Sequence, residues 1–303
     1  MQTTDLQSLN DAFAITEQIA FKVGPGGLPV AEIRNAHAAA TVSLQGGHVI
    51  SFQPHREAPV LWVSGHSLYQ PGKAIRGGIP ICWPWFGPHP TDPAMPSHGF
   101  VRTAMWDVRA TAALDGATQL RLGIADGETT YDLWPYPFWL QIVITVGAEL
   151  RVELITRNTG DAPFTCGGAL HSYFHVSDAG AIGIEGLDGC AYIDKVDRDE
   201  RKVQRGPVTI AAETDRVYVD TTATCVIEDP GFDHRIRIAK AGSLSTVVWN
   251  PWVDRARRLP DFGDEEYRSM VCVETTNAAA DVVTIAPGGE HRLRAVIDVE
   301  AII

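Results

Sequence analysis

The chain has 303 residues, 45% of them hydrophobic, enough for a sizeable core, and 37 Asp and Glu against 25 Lys and Arg give a formal net charge of -12. A field of that sign repels polyanions and argues against a nucleic-acid or anionic-membrane surface. The five cysteines, Cys82, Cys166, Cys190, Cys225 and Cys272, are scattered without a Cys-x-x-Cys pair or metal-finger spacing; they read as reduced thiols of a cytoplasmic protein.

The first twenty residues carry no Lys or Arg and no long apolar run, which argues against a secretory signal and a membrane anchor. A short helix is expected around 5–13. From there the strand period dominates. It appears at 41–52 (T-V-S-L-Q-G-G-H-V-I-S-F), 119–124, Leu140 to Val146, 150–157, 216–220, 235–239, 245–249, 269–275 and Leu293 to Val299. Turn signals fall between these runs, as in N-T-G-D at 158–161 and P-G-G at 287–289. A second helical stretch of a turn or two is expected within 253–268, where Pro260 limits its length. The proline-rich segment 71–100 breaks the rhythm; it is expected to lie over a sheet face as an ordered, aromatic-rich loop. These elements predict an all-β fold, a large antiparallel β-sandwich forming one domain over 1–303.

Several residues along this framework carry chemistry. Arg76, before Gly77 and Gly78, and Arg102, after H-G-F-V, bracket a Gly-, Pro- and Trp-rich stretch. One arginine alone is more often paired with a structural carboxylate, but two in such a setting point to a held anion. His171, in A-L-H-S-Y-F-H-V, is either a proton carrier or an ordinary buried histidine. His175 lies four residues on, yet no H-E-x-x-H and no third ligand accompany the pair, so no metal is expected. Glu274, in V-C-V-E-T-T-N, interrupts an apolar strand on the face of Met270 and Cys272. Its carboxylate is a candidate base, unless it sits at an exposed strand end or pairs with an arginine. Trp249 and Asn250 offer an aromatic wall and an amide, and Asp215 is either a hydroxyl acceptor or a turn residue.

The ordered series R-G-G-I-P, P-S-H-G-F-V-R, L-H-S-Y-F, T-D-R-V-Y, W-N-P-W and V-E-T-T-N resembles the hexose-6-phosphate mutarotase branch of the aldose 1-epimerase family, over roughly residues 70–277. The resemblance implies a galactose-mutarotase-like sandwich with no cofactor. It implies His171 and Glu274 as catalytic acid and base, and Arg76, Ser97, His98, Arg102, Asp215, Trp249 and Asn250 as substrate contacts. A small sugar phosphate is the implied partner, and the chain is taken as a monomer. Two positions depart from the pattern: Ser97 stands where relatives carry glutamine, and Thr275 where proline is common. The competing readings are an epimerase of unphosphorylated aldoses and a non-catalytic sugar-phosphate binder. A glycosidase lacks an identifiable second carboxylate.

Overall fold

The computed structural model describes residues 5–302. Asp5 accepts the Gln7 and Ser8 amides and so starts the helix Leu6–Phe13, as the polar-then-apolar pattern there predicts. Beyond it the chain is built from antiparallel ladders. Pro29–Arg34, Ala38–Ser43 and His48–Pro54 follow Ile19–Val23 in a four-stranded sheet. The run 41–52, read above as one strand, is two, because Gly46 and Gly47 turn the chain at φ 82° and 58°.

Phe164–Cys166 and Val283–Ile285 form a two-stranded sheet, and two eight-stranded sheets carry the rest. The first runs Glu200–Val203, Ala191–Asp194, Thr214–Tyr218, Ser245–Asn250, Met270–Asn277, Gly168–Leu170, Ile81–Cys82, with Tyr173–His175 also pairing Met270–Asn277. The second runs Gly183–Glu185, Cys225–Asp229, His234–Ala241, Glu290–Ala301, Leu150–Asn158, Phe138–Val146, Ala117–Ala125, Asp107–Leu114. Alternation decides which side chains go inward: along Phe138–Val146 every second residue is buried, including Leu140, Ile142, Ile144 and Val146. They join Val248, Val271 and Val273 of the first sheet in one apolar core. The fold is therefore the expected antiparallel sandwich.

The residues between those core positions face away from the second sheet. Val247, Trp249, Met270 and Cys272 form a separate apolar cluster with Trp62, Tyr173, Phe262 and Tyr267, under the helix Trp252–Ala256 and the loop after it. The proline-rich segment departs from expectation. Its Ile81–Cys82 pairs with Ala169–Leu170 and is itself the sheet edge, where the missing amides of Pro80 and Pro84 cost no central ladder bond. Among the described residues no helix is long and apolar enough to cross a membrane.

Candidate active site

Strand pairing lines up a row of side chains on the outer face of the first sheet. Asp215 pairs with Trp249, Trp249 with Cys272, and Cys272 with Tyr173. Glu274 lies two residues past Cys272, so it shares this face, and it is 1% exposed. His171 occupies the break between Gly168–Leu170 and Tyr173–His175, both of which pair with the Glu274 strand. Its amide donates to the Pro80 carbonyl at 3.0 Å, which fixes the break. The imidazole thereby meets the carboxylate, with Nδ1 3.5 Å from Oε1. That separation is too long for a good hydrogen bond. Accordingly His171 Nδ1 and Glu274 Oε2 are both buried without a partner.

Burial sets the electrostatics of the pair. It pushes the Glu274 carboxyl well above the usual range, and Asp215 adds to the rise. It pushes the His171 imidazole well below 6.5, with His98, Arg76 and Arg102 opposing a further positive charge. Both charged forms are thus disfavoured, and the pair retains a proton that either group is able to hold. The Cys272 thiol is also raised by burial, and then by Glu274.

Aromatic rings fix the imidazole. Tyr173 stacks on it at 4.8 Å and 9°, Trp62 stacks on Tyr173 at 5.8 Å, and Trp249 stands edge-on to His171 at 6.3 Å. His98 lies 5.6 Å from His171, centroid to centroid. The Gly87 amide donates to His98 Nδ1 at 3.2 Å, so the neutral ring carries its proton on Nε2. Burial, then Arg102 and Arg76, lowers its pKa to about 3.

The two arginines differ. Arg76 donates through Nε and Nη2 to Asp261 at 3.2 and 3.1 Å, and through Nη1 to the Tyr173 hydroxyl at 3.2 Å. Burial works against this guanidinium's charge, but Tyr173 and Asp261 outweigh it and raise its pKa. Arg102 donates to the Ser97 carbonyl at 2.8 Å, and among the described residues no carboxylate lies within ion-pair distance of it. Of the two arginines, Arg102 is thus the one without an acidic partner among the described residues. The glycines after Arg76 serve the protein rather than a ligand: a Cβ at Gly77, φ 115°, would stand 2.4 Å from the Trp62 carbonyl oxygen.

An aldose 1-epimerase family model matches residues 29–298. The chain belongs to the aldose 1-epimerase family. It is 38% identical over 242 residues, 80% of each chain, to a Salmonella typhimurium protein provisionally named glucose-6-phosphate 1-epimerase. It is 34% identical over 283 residues to a similarly named protein of Cenchrus ciliaris, covering 89% of this chain and 84% of that one. The crystal structure of a Salmonella typhimurium protein provisionally described as a mutarotase superposes with a TM-score of 0.89 at 33% identity, covering 95% and 96% of the two chains.

Of the residues picked from sequence, this epimerase-family fold gathers His171, Glu274, His98, Arg76, Arg102, Trp249 and half-buried Asp215 around one face. Asn250 is not among them. It points the other way from Trp249, and its amide is consumed by the Tyr267 and Met270 carbonyls and the Trp252 amide, each at 2.8 Å. Ser97 is exposed and contributes its carbonyl to Arg102. His175 sits beside Phe232, at 5.1 Å, rather than beside Glu274. Three neighbours escaped the sequence reading. Tyr173 lay within the quoted L-H-S-Y-F, Asp261 sits in an unremarkable P-D-F-G loop, and Cys272 supplies a third donor beside His171 and Glu274, all within 4.8 Å of one another. A shallow concavity on the outer face of the second sheet holds Arg121, Arg151, Arg292 and Arg294. There Arg151 pairs with Glu149, and Arg292 with Glu153 and Glu290, so much of that charge is already answered.

Proposed function

We propose that this chain is a hexose-6-phosphate mutarotase that interconverts the α and β anomers of glucose-6-phosphate, with Glu274 as base and His171 as acid. The observation that carries the reading is the buried Glu274–His171 pair, 3.5 Å apart, with Arg102 close enough for its charge to act on His171. Opening the ring requires removal of the anomeric hydroxyl proton and delivery of a proton to the ring oxygen. Glu274 takes the first, His171 gives the second, the open chain rotates about the bond to its carbonyl carbon, and reclosure reverses both transfers. The two pKa directions rest the pair's proton on Glu274, so the working form, Glu274 ionised and His171 protonated, is the minor one; in that form the carboxylate is a stronger base and the imidazolium a stronger acid than their solvent-exposed counterparts. Trp249, edge-on to His171, offers an aromatic wall to the pyranose, while Tyr173 holds the imidazole in place. Arg102, with Ser97 steering its guanidinium, holds the phosphate so that the open chain is retained while its reactive end turns.

The Arg76–Asp261 pair lessens the site's positive charge and keeps an unphosphorylated aldose in view as the competing substrate. Measuring anomer exchange on glucose-6-phosphate and on glucose separates the two. Arg102→Ala is expected to raise KM for the phosphorylated sugar by about tenfold or more while leaving KM for the free sugar nearly unchanged. Equal effects on both substrates would remove the phosphate anchor. The apolar core running from Ile19 to Ile297 supports one domain, and five free cysteines support a reducing, cytoplasmic setting.

A further inference from the structure

We infer that His171, Cys272 and Glu274 form a binding site for a zinc-class divalent cation whose occupancy switches the acid–base pair off. The inhibitory half of this inference rests on the mutarotase reading above; the binding half does not. The sheet itself assembles the donors. Alternation places Cys272 and Glu274 on one face, and the strand break at His171 brings an imidazole nitrogen over them, so that the three donor atoms lie within 4.8 Å of one another. A tetrahedral zinc centre with ~2.0–2.1 Å bonds to nitrogen and oxygen sets those two atoms ~3.3 Å apart. The observed Nδ1 to Oε1 distance is 3.5 Å, so two ligands already stand at working spacing. Bringing the sulfur in takes a movement on the order of one ångström.

Two further features point to a cation. His171 Nδ1 and Glu274 Oε2 are buried with no hydrogen-bond partner, in residues 8% and 1% exposed. No lysine or arginine forms an ion pair with Glu274 among the described residues; its one ionic contact is the His171 imidazole. A buried carboxylate so placed is costly. A divalent ion bound by one thiolate, one carboxylate and one neutral imidazole makes a site of zero net charge. As the metal–sulfur bond forms, the thiol proton leaves to solvent, and any proton on Glu274 leaves with it. The mixed sulfur, nitrogen and oxygen set selects zinc, cobalt(II) or cadmium over magnesium or calcium. The fourth position is left for water. With the metal in place, the lone pairs that would move protons are occupied, so the ion and the sugar phosphate exclude each other.

The test uses the full chain with cobalt(II) as a spectroscopic probe and zinc as the ligand in calorimetry. One equivalent of cobalt(II) is expected to give a thiolate-to-metal charge-transfer band in the near ultraviolet, displaced by zinc and weakened by glucose-6-phosphate. Cys272→Ser, with Cys272→Ala as the second variant, is expected to lose the band and to bind zinc about 100-fold or more weakly. Its anomer exchange, measured relative to its own metal-free rate, becomes insensitive to zinc. Cys82→Ser, a buried thiol on the neighbouring edge strand, keeps the band. Absence of the band in the wild-type protein, its persistence in both Cys272 variants, or undiminished zinc inhibition of those variants would overturn the inference. A wild-type chain without anomer exchange that still gives the Cys272-dependent band would fail the mutarotase reading alone.

Discussion

At the scale of single residues, the account turns on a carboxyl and an imidazole that share burial but not a hydrogen bond. Neither is well solvated, so each resists its charged form, and the pair titrates as a unit holding two protons, then one, then none. The productive state holds one. Its acid limit is the charging of His171, which burial moves below the ordinary 6.5; its alkaline limit is the loss of the Glu274 proton, moved above the ordinary 4.5. Anomer exchange is therefore expected to persist below pH 6.5, where a solvent-exposed histidine would already have charged. A pH–rate profile whose acid limb is centred at 6.5 or higher would show that His171 is not buried in the way described.

At the scale of elements, the strand Met270–Asn277 and the segment 96–102 position the chemistry. Every side chain from Met270 to Asn277 is buried, and alternation sends valines to the inter-sheet core and Cys272 and Glu274 to the site. This much was legible in the sequence, because a carboxylate in an apolar strand announces itself. The position of His171 was legible only through motif resemblance, since the break that aims it depends on two short strands pairing with one long partner. Asn250 was misread because the carbonyls that saturate it come from residues 17 and 20 positions away. Asp261 gave no signal at all; its loop looks like any polar turn until the fold brings it to Arg76. The H-G-F turn makes a sharper prediction. Gly99 has φ 70°, and a Cβ there would stand 1.8 Å from the Trp83 carbonyl oxygen, whereas Gly27, φ 79°, has nothing within 4 Å. Gly27→Ala is expected to cost about 1–2 kcal/mol from the backbone alone. Gly99→Ala is expected to cost more than about 3 kcal/mol and to displace His98. Denaturant midpoints for the two variants check the contrast, and equal losses would contradict it.

At the scale of the whole molecule, the sandwich leaves one sheet face free for chemistry by burying the other against its partner sheet, and the fold keeps two buried histidines neutral, His48 in the four-stranded sheet and His98 beside His171. Burial lowers His48 to about 4 and His98 to about 3. The folded state thus binds fewer protons than the unfolded chain in mild acid. The stability these groups contribute is complete above the unfolded value near 6.5 and is lost as pH falls through their folded values, on the order of 3 kcal/mol for His48. Unfolding free energy is expected to drop steeply between pH 6.5 and 4, less steeply in His48→Gln; a flat profile would contradict the burial.

The most direct test of the central claim is magnetisation exchange between the anomers of glucose-6-phosphate, catalysed by the wild-type chain, Glu274→Gln and His171→Asn. The account predicts accelerated exchange for the wild type and a loss of about 100-fold or more in each variant, with no further comparable loss when the two are combined. Wild-type exchange rates in either folded variant would contradict it.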